Sequence, residues 1–127
     1  MSSKKIYDIT NNKQVAPDYY YMEIKAPEIA KKGSPGQFVH VKVTGDSDIY
    51  DPLLRRPFSF YDIDKNNGLI KLVYELVGKG TKILTKLSSG DSINILGPLG
   101  NGFKMNSSRN PIIIGGGMGI VPLYYLV

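Results

Sequence analysis

The chain contains no cysteine and no tryptophan, a single histidine, and only three arginines among its 16 basic residues. Without a thiol, these 127 residues hold no disulfide, no thiolate nucleophile and no Cys-bound iron–sulfur cluster. The one imidazole, His40, lies on a strand-like stretch and reads as structural, and no nucleophile–base pair is legible elsewhere. Asp46, Asp48 and Asp51 share one loop without metal-ligand spacing, so that loop reads as solvated. Long apolar runs are missing too. The longest uncharged run, residues 111–127, is broken by glycine and too short to span a bilayer. Residues 1–8 lack the apolar stretch of a signal peptide, so no membrane association and a cytoplasmic location are the expectations.

What is present suits one globular domain. Hydrophobic residues make up 42% and charged residues 21%, enough apolar surface to form a core and escape disorder. Fourteen glycines and eight prolines punctuate strand-sized runs, the pattern of a β-rich fold with many turns. The net charge of +5 comes from dispersed lysines and reads first as a solvated surface, second as affinity for an anionic ligand or acidic partner. Arg55 and Arg56 stand out because they are adjacent in a lysine-dominated chain.

Periodicity predicts strands over residues 5–10 and 19–25, joined by the polar turn 11–13, then a breaker-rich connection over 27–36. A strand with one wet face follows at 37–44, and a polar loop at 45–52. The turn Asp64-Lys65-Asn66-Asn67-Gly68 predicts that residues 57–63 and 69–77 form a hairpin. The period then changes. Ile83, Leu84 and Leu87 share one helical face over 81–88, with Thr81 suited to the N-cap. Residues 92–96 return to β structure and 97–102 form a tight turn. The apolar run 111–114 predicts a parallel strand entering a glycine-rich turn at 115–119 and then a helix.

Three constellations carry chemistry. In Leu54-Arg55-Arg56-Pro57-Phe58-Ser59, a guanidinium fork suits a phosphate, and the ring and hydroxyl suit a planar heterocycle; Phe58 equally suits the core. In Gly78-Lys79-Gly80-Thr81, unpaired N–H groups opening a helix favour a phosphate, although a simply capped helix reads the same way and the Walker spacing is absent. Gly115 to Gly119 suits a phosphate-binding strand–helix turn without the third glycine of the dinucleotide fingerprint. Tyr19, Tyr20 and Tyr21 among scattered lysines leave open a basic barrel stacking on single-stranded nucleic acid.

Taken in order, these pieces resemble the ferredoxin reductase-type flavoprotein family. The order is Pro35-Gly36-Gln37-Phe38, Arg56-Pro57-Phe58-Ser59, Gly78-Lys79-Gly80-Thr81, Leu87-Ser88-Ser89-Gly90-Asp91, Gly97-Pro98-Leu99-Gly100-Asn101-Gly102-Phe103, and Gly115 to Leu123. The wording of residues 53–59, 74–81 and 97–103 is most similar to the electron-transfer subunits of class B dihydroorotate dehydrogenases. The resemblance implies an all-β, six-stranded antiparallel Greek-key barrel with one short helix over residues 1–108. It further implies that 109–127 are the first strand and turn of a truncated α/β NAD-binding domain. It implies FAD as cofactor, with NAD and a [2Fe–2S] cluster only in a full-length parent, and an FMN-containing dihydroorotate dehydrogenase catalytic subunit as partner in a heterotetramer. Nucleic acid is not an expected partner.

By the same resemblance, Arg56, Pro57, Phe58 and Ser59 form a first FAD segment, with Arg56 on the pyrophosphate and Ser59 near the flavin ring. Val73, Tyr74 and Glu75 form a second segment, and Gly80 and Thr81 a pyrophosphate site; no catalytic residue and no metal ligand is expected. The implied function is passage of electrons from dihydroorotate oxidation to NAD in pyrimidine biosynthesis, the fragment alone being inactive. Alternatives are the FAD domain of another NAD(P)H-dependent ferredoxin or hydrogenase-linked reductase, the nucleic-acid barrel, and a purely structural domain.

Overall fold

A computed structural model of the chain describes residues 3–43, 54–105 and 110–127. The loop carrying Asp46, Asp48 and Asp51, and Arg109, lie outside the described residues. Six strands, β1 (Ser3–Ala16), β2 (Tyr19–Lys25), β3 (Phe38–Lys42), β4 (Arg56–Asp64), β5 (Leu69–Glu75) and β6 (Ser92–Leu99), close into a barrel. Every neighbouring pair is antiparallel, in the order β1-β2-β5-β4-β3-β6. β3, β4 and β5 run consecutively while β2 lies beside β5, the Greek-key arrangement.

Alternation explains the core. In β5, Ile70, Leu72 and Tyr74 are buried while Lys71 and Val73 face outward; Met22 and Ile24 of β2 and Val39 and Val41 of β3 meet them inside. The core is almost wholly aliphatic apart from Tyr7, Phe60 and Tyr74. β1 serves two partners: Ser3 to Asp8 pair with β6, and Asp8 to Ala16 pair with β2. A register shift between Ile9 and Asn11 lets it do so, and such a bulge re-aims the side chains beyond it. Before the shift Ile9 faces inward opposite Ile24; after it Asn12 stands opposite buried Met22. Residues 11–13, expected as a polar turn, are therefore strand, and the reversal falls at Pro17-Asp18, where Asp18 takes φ +62°. Pairing with β2 outweighs the local polarity of two asparagines and a lysine.

One element exceeds the expectation of a single short helix in the barrel. The connection after β2 contains α1 (Pro27–Lys32), with proline at its start, Glu28 in its first turn and Lys31 and Lys32 in its last. Each complements the helix ends, and Ile29 and Ala30 are buried in the barrel's core cluster. The β4–β5 hairpin abuts it: Gly68, at φ +67°, leaves only 3.0 Å between an added Cβ and Pro27 Cβ. The expected helix near residue 81 is α2 (Lys79–Leu84), capped by Gly78 rather than Thr81.

Residues 111–114, expected as a parallel strand, pair with no strand among the described residues, and Ile112 and Ile114 are each 87% exposed. A strand needs a ladder partner to satisfy its backbone, and the described chain offers none. A 3₁₀ turn (Gly117–Ile120) and α3 (Val121–Tyr124) follow. α3 packs on β4, with the Tyr124 ring stacked on Tyr61 at 4.4 Å and 13°.

Candidate functional site

β4, β5 and α2 converge on an open cleft of about 320 Å³ lined by Arg56, Pro57, Phe58, Tyr74, Glu75, the turn 77–81 and Met118. Seven of the residues singled out from sequence are therefore brought together: Arg56, Pro57, Phe58, Tyr74, Glu75, Gly80 and Thr81. Ser59 and Val73 do not line this cleft. Ser59 pairs with Phe38 in the β3–β4 ladder, and Val73 borders a separate groove with Tyr21, Tyr61 and Tyr124. Val77 and Met118 line the cleft without having been expected in it. Met118 was legible only as part of a glycine-rich turn, because no local signal shows that this turn folds back on the barrel.

The apolar wall is built from rings. Phe58 meets Tyr74 edge-on at 5.9 Å and 69°, and Tyr74 stacks on Tyr20 at 5.5 Å and 16°. Tyr74 is 1% exposed, and burial pushes its phenol up to about 12. It is a neutral donor at any ordinary pH, and its Oη donates to Asn12 Oδ1 at 2.9 Å.

The polar end is Arg56. Its guanidinium donates to the Leu54 carbonyl at 2.7 Å, which fixes the fork at the cleft margin. A Cβ added to Gly80 would stand 3.2 Å from Arg56 Nε, so the glycine leaves the space in which the guanidinium lies. Thr81 is committed to the turn: its Oγ1 accepts from the N–H groups of Val77 and Gly78 at 3.0 and 3.1 Å and donates to the Gly78 carbonyl. The turn thus shapes the cleft and seats the arginine.

Arg55 goes elsewhere. It donates to Asn94 Oδ1 at 2.5 Å and to the His40 carbonyl at 3.2 Å, and burial lowers its pKa. Arg55, just before β4, and Arg56, its first residue, face opposite ways, one bracing β3 and β6, the other bordering the cleft. Among the described residues no group of acidic, His or Cys side chains is placed to hold a metal ion. No helix among them is long and apolar enough to cross a membrane.

A guanidinium fork at one end, an aromatic wall beside it and a glycine that permits close approach suit a ligand joining a phosphate to a planar ring. The chain belongs to the oxidoreductase FAD-binding domain family, which it matches over residues 7–103. It is 46% identical over 114 residues to the dihydroorotate dehydrogenase B (NAD(+)) electron transfer subunit of Desulforamulus reducens, an overlap of 89% of this chain and 42% of that protein. The Lysinibacillus sphaericus protein of the same name is 40% identical, over 93% of this chain and 46% of that one. A chain from the structure of NADH-dependent reduced ferredoxin-NADP oxidoreductase superposes with TM-score 0.81 at 32% identity, covering 93% of this chain and 41% of that chain. The chain thus spans less than half the length of these two relatives.

Proposed function

We propose that this chain is the FAD-holding barrel of an electron-transfer subunit of a class B dihydroorotate dehydrogenase. Such a subunit would pass electrons from dihydroorotate oxidation to NAD in pyrimidine biosynthesis. The observation that carries the proposal is the 46% identity to a protein of that name, in a chain whose family-typical residues converge on one cleft. FAD supplies the hydride and electron chemistry; the protein binds and orients it.

In this reading Arg56 holds the pyrophosphate, Phe58 and Tyr74 offer the apolar wall, and Pro57 fixes the backbone between ring and guanidinium. Gly80 gives Arg56 its space, Thr81 holds the turn, and Glu75 borders the opening. Ser59, next to Phe58, completes the first FAD segment near the flavin ring, and Val73, next to Tyr74, belongs to the second. NAD and a [2Fe–2S] cluster would be held outside these residues in the longer protein, which would work in the cytoplasm with an FMN-containing catalytic subunit as its partner in a heterotetramer. The test is made on the full-length protein purified anaerobically. FAD, iron and acid-labile sulfide should copurify with it, and dihydroorotate should drive NAD reduction once the catalytic subunit is added. A protein without iron that reduces no NAD under those conditions sinks this reading. A second reading, another NAD(P)H-linked ferredoxin reductase, is favoured by the 32% identity to the ferredoxin-NADP oxidoreductase chain. It would show ferredoxin-dependent turnover with no response to dihydroorotate.

A further inference from the structure

Asn12 lies on β1, outside the cleft lining, yet it touches two of the three elements that form the cleft, β5 and α2. Its Nδ2 donates to the carbonyls of Leu84 and Leu87, each at 2.8 Å, and its Oδ1 accepts from Tyr74 Oη at 2.9 Å. The amide is fully specified by these partners: two acceptors face the NH₂ group, and one hydroxyl donor faces the oxygen. Leu84 ends α2 and Leu87 lies in the turn after it; the Leu84 carbonyl also accepts from the Leu87 N–H at 3.1 Å, and a side chain from a strand more than 70 residues away supplies a further donor to each carbonyl. The bulge after Ile9 makes this possible, because it turns Asn12 toward the interior opposite Met22.

We infer that Asn12 is a positioning residue for the FAD cleft, setting the distance between the β5 wall through Tyr74 and the α2 wall through the carbonyls of Leu84 at the helix end and Leu87 in the turn that follows. The inference rests on the FAD reading above. Helix α2 has six residues, a rigid peg about 9 Å long, so a shift at its C-terminal end moves its other end as well. At that other end Gly80 lies against Arg56 Nε, and on the β5 side the Tyr74 ring lies against Phe58. Asn12 thereby acts on FAD through Arg56 and Phe58 without touching the ligand.

The test is FAD titration by flavin fluorescence on the protein carrying Asn12→Ala, Tyr74→Phe, Arg56→Ala and the Asn12→Ala/Arg56→Ala pair. Losing donors to two carbonyls and stranding a buried hydroxyl should raise the FAD Kd about tenfold in Asn12→Ala. In the Arg56→Ala background the same change should raise it clearly less, by about threefold, because one of the two groups through which it acts is gone and only the Phe58 route remains. An undiminished effect in that background means Asn12 merely stabilises the barrel, and overturns the inference. So does an unchanged Kd in Asn12→Ala while Arg56→Ala weakens FAD. If neither variant weakens FAD, the FAD reading itself fails. Should Asn12→Ala not fold, Tyr74→Phe keeps every ring contact, removes only the hydroxyl, and is compared in the wild-type and Phe58→Ala backgrounds, where its effect should shrink in the second. Equal effects in both backgrounds again overturn the inference.

Discussion

Arg55 and Arg56 are consecutive, yet removing them should have unlike consequences. Arg56→Ala takes away a charge-assisted fork at the cleft and should weaken FAD by roughly 1.5–3 kcal/mol, at least about tenfold in Kd. Arg55→Ala leaves Asn94 and the His40 carbonyl without their donor, and should lower stability by about 1–3 kcal/mol with little effect on FAD. Flavin titration beside urea unfolding separates the two; the opposite order would mean the strand register is misassigned. Tyr74 gives a pH signature. Its folded pKa stands at about 12 against an ordinary 10.0, so the folded state keeps a proton that the unfolded chain releases. The stability this contributes is complete below about pH 10 and is lost as pH rises toward about 12. Tyr74→Phe should be less stable at neutral pH but show a shallower decline across that window; parallel unfolding curves would contradict the buried phenol. Arg56 and Phe58 could be read from sequence because an Arg-Pro-aromatic string is local. Asn12 could not, since its partners lie 62 to 75 residues away and a single asparagine on a strand carries no signal.

At the level of elements, sequence is a good guide where burial alternates and a poor one where tertiary pairing overrides local polarity. β5 was legible because Ile70, Leu72 and Tyr74 alternate with outward residues, and the β4–β5 hairpin because Asp64 and Asn67 form its turn. The Asp64 carboxylate accepts from the Asn67 backbone N–H and side-chain amide at 3.0 and 2.7 Å. β1 was read too short because its second half is polar and is held by β2. α1 is not legible in the sequence because its proline and glycine read as a break, although proline is favoured at a helix start. The helix over residues 79–84 was recognised by its apolar face, but its start was placed three residues late: Thr81 caps from within the first turn. This element makes the next prediction. Gly80→Ala should leave stability unchanged or raise it by about 0.5–1 kcal/mol, since alanine favours a helix over glycine. The added methyl would sit 3.2 Å from Arg56 Nε and push the flexible guanidinium aside. FAD binding should therefore weaken several-fold while the urea midpoint holds, a split that simple destabilisation cannot produce. Unchanged FAD affinity would show that Gly80 is not needed to seat Arg56.

For the whole molecule, the question is how much of a redox enzyme 127 residues can perform. Hydride transfer requires a nicotinamide held against the flavin, with its phosphates and ribose gripped by groups of their own. After the barrel the described chain offers an unpaired extended stretch, a 3₁₀ turn and the four residues of α3, docked on β4 through Tyr61 and Tyr124. Met118 reaches the cleft, but the described residues build no second sheet on which a dinucleotide could lie. FAD bound to this chain should therefore be reduced by light and a sacrificial donor, which need no nicotinamide site, and yet respond to NADH only slowly and without saturation. Stopped-flow mixing of the FAD-loaded chain with NADH measures this directly. Saturable bleaching at rates ordinary for enzymes, about 1–1,000 per second, would place a working nicotinamide site within these residues and overturn the division of labour proposed for them.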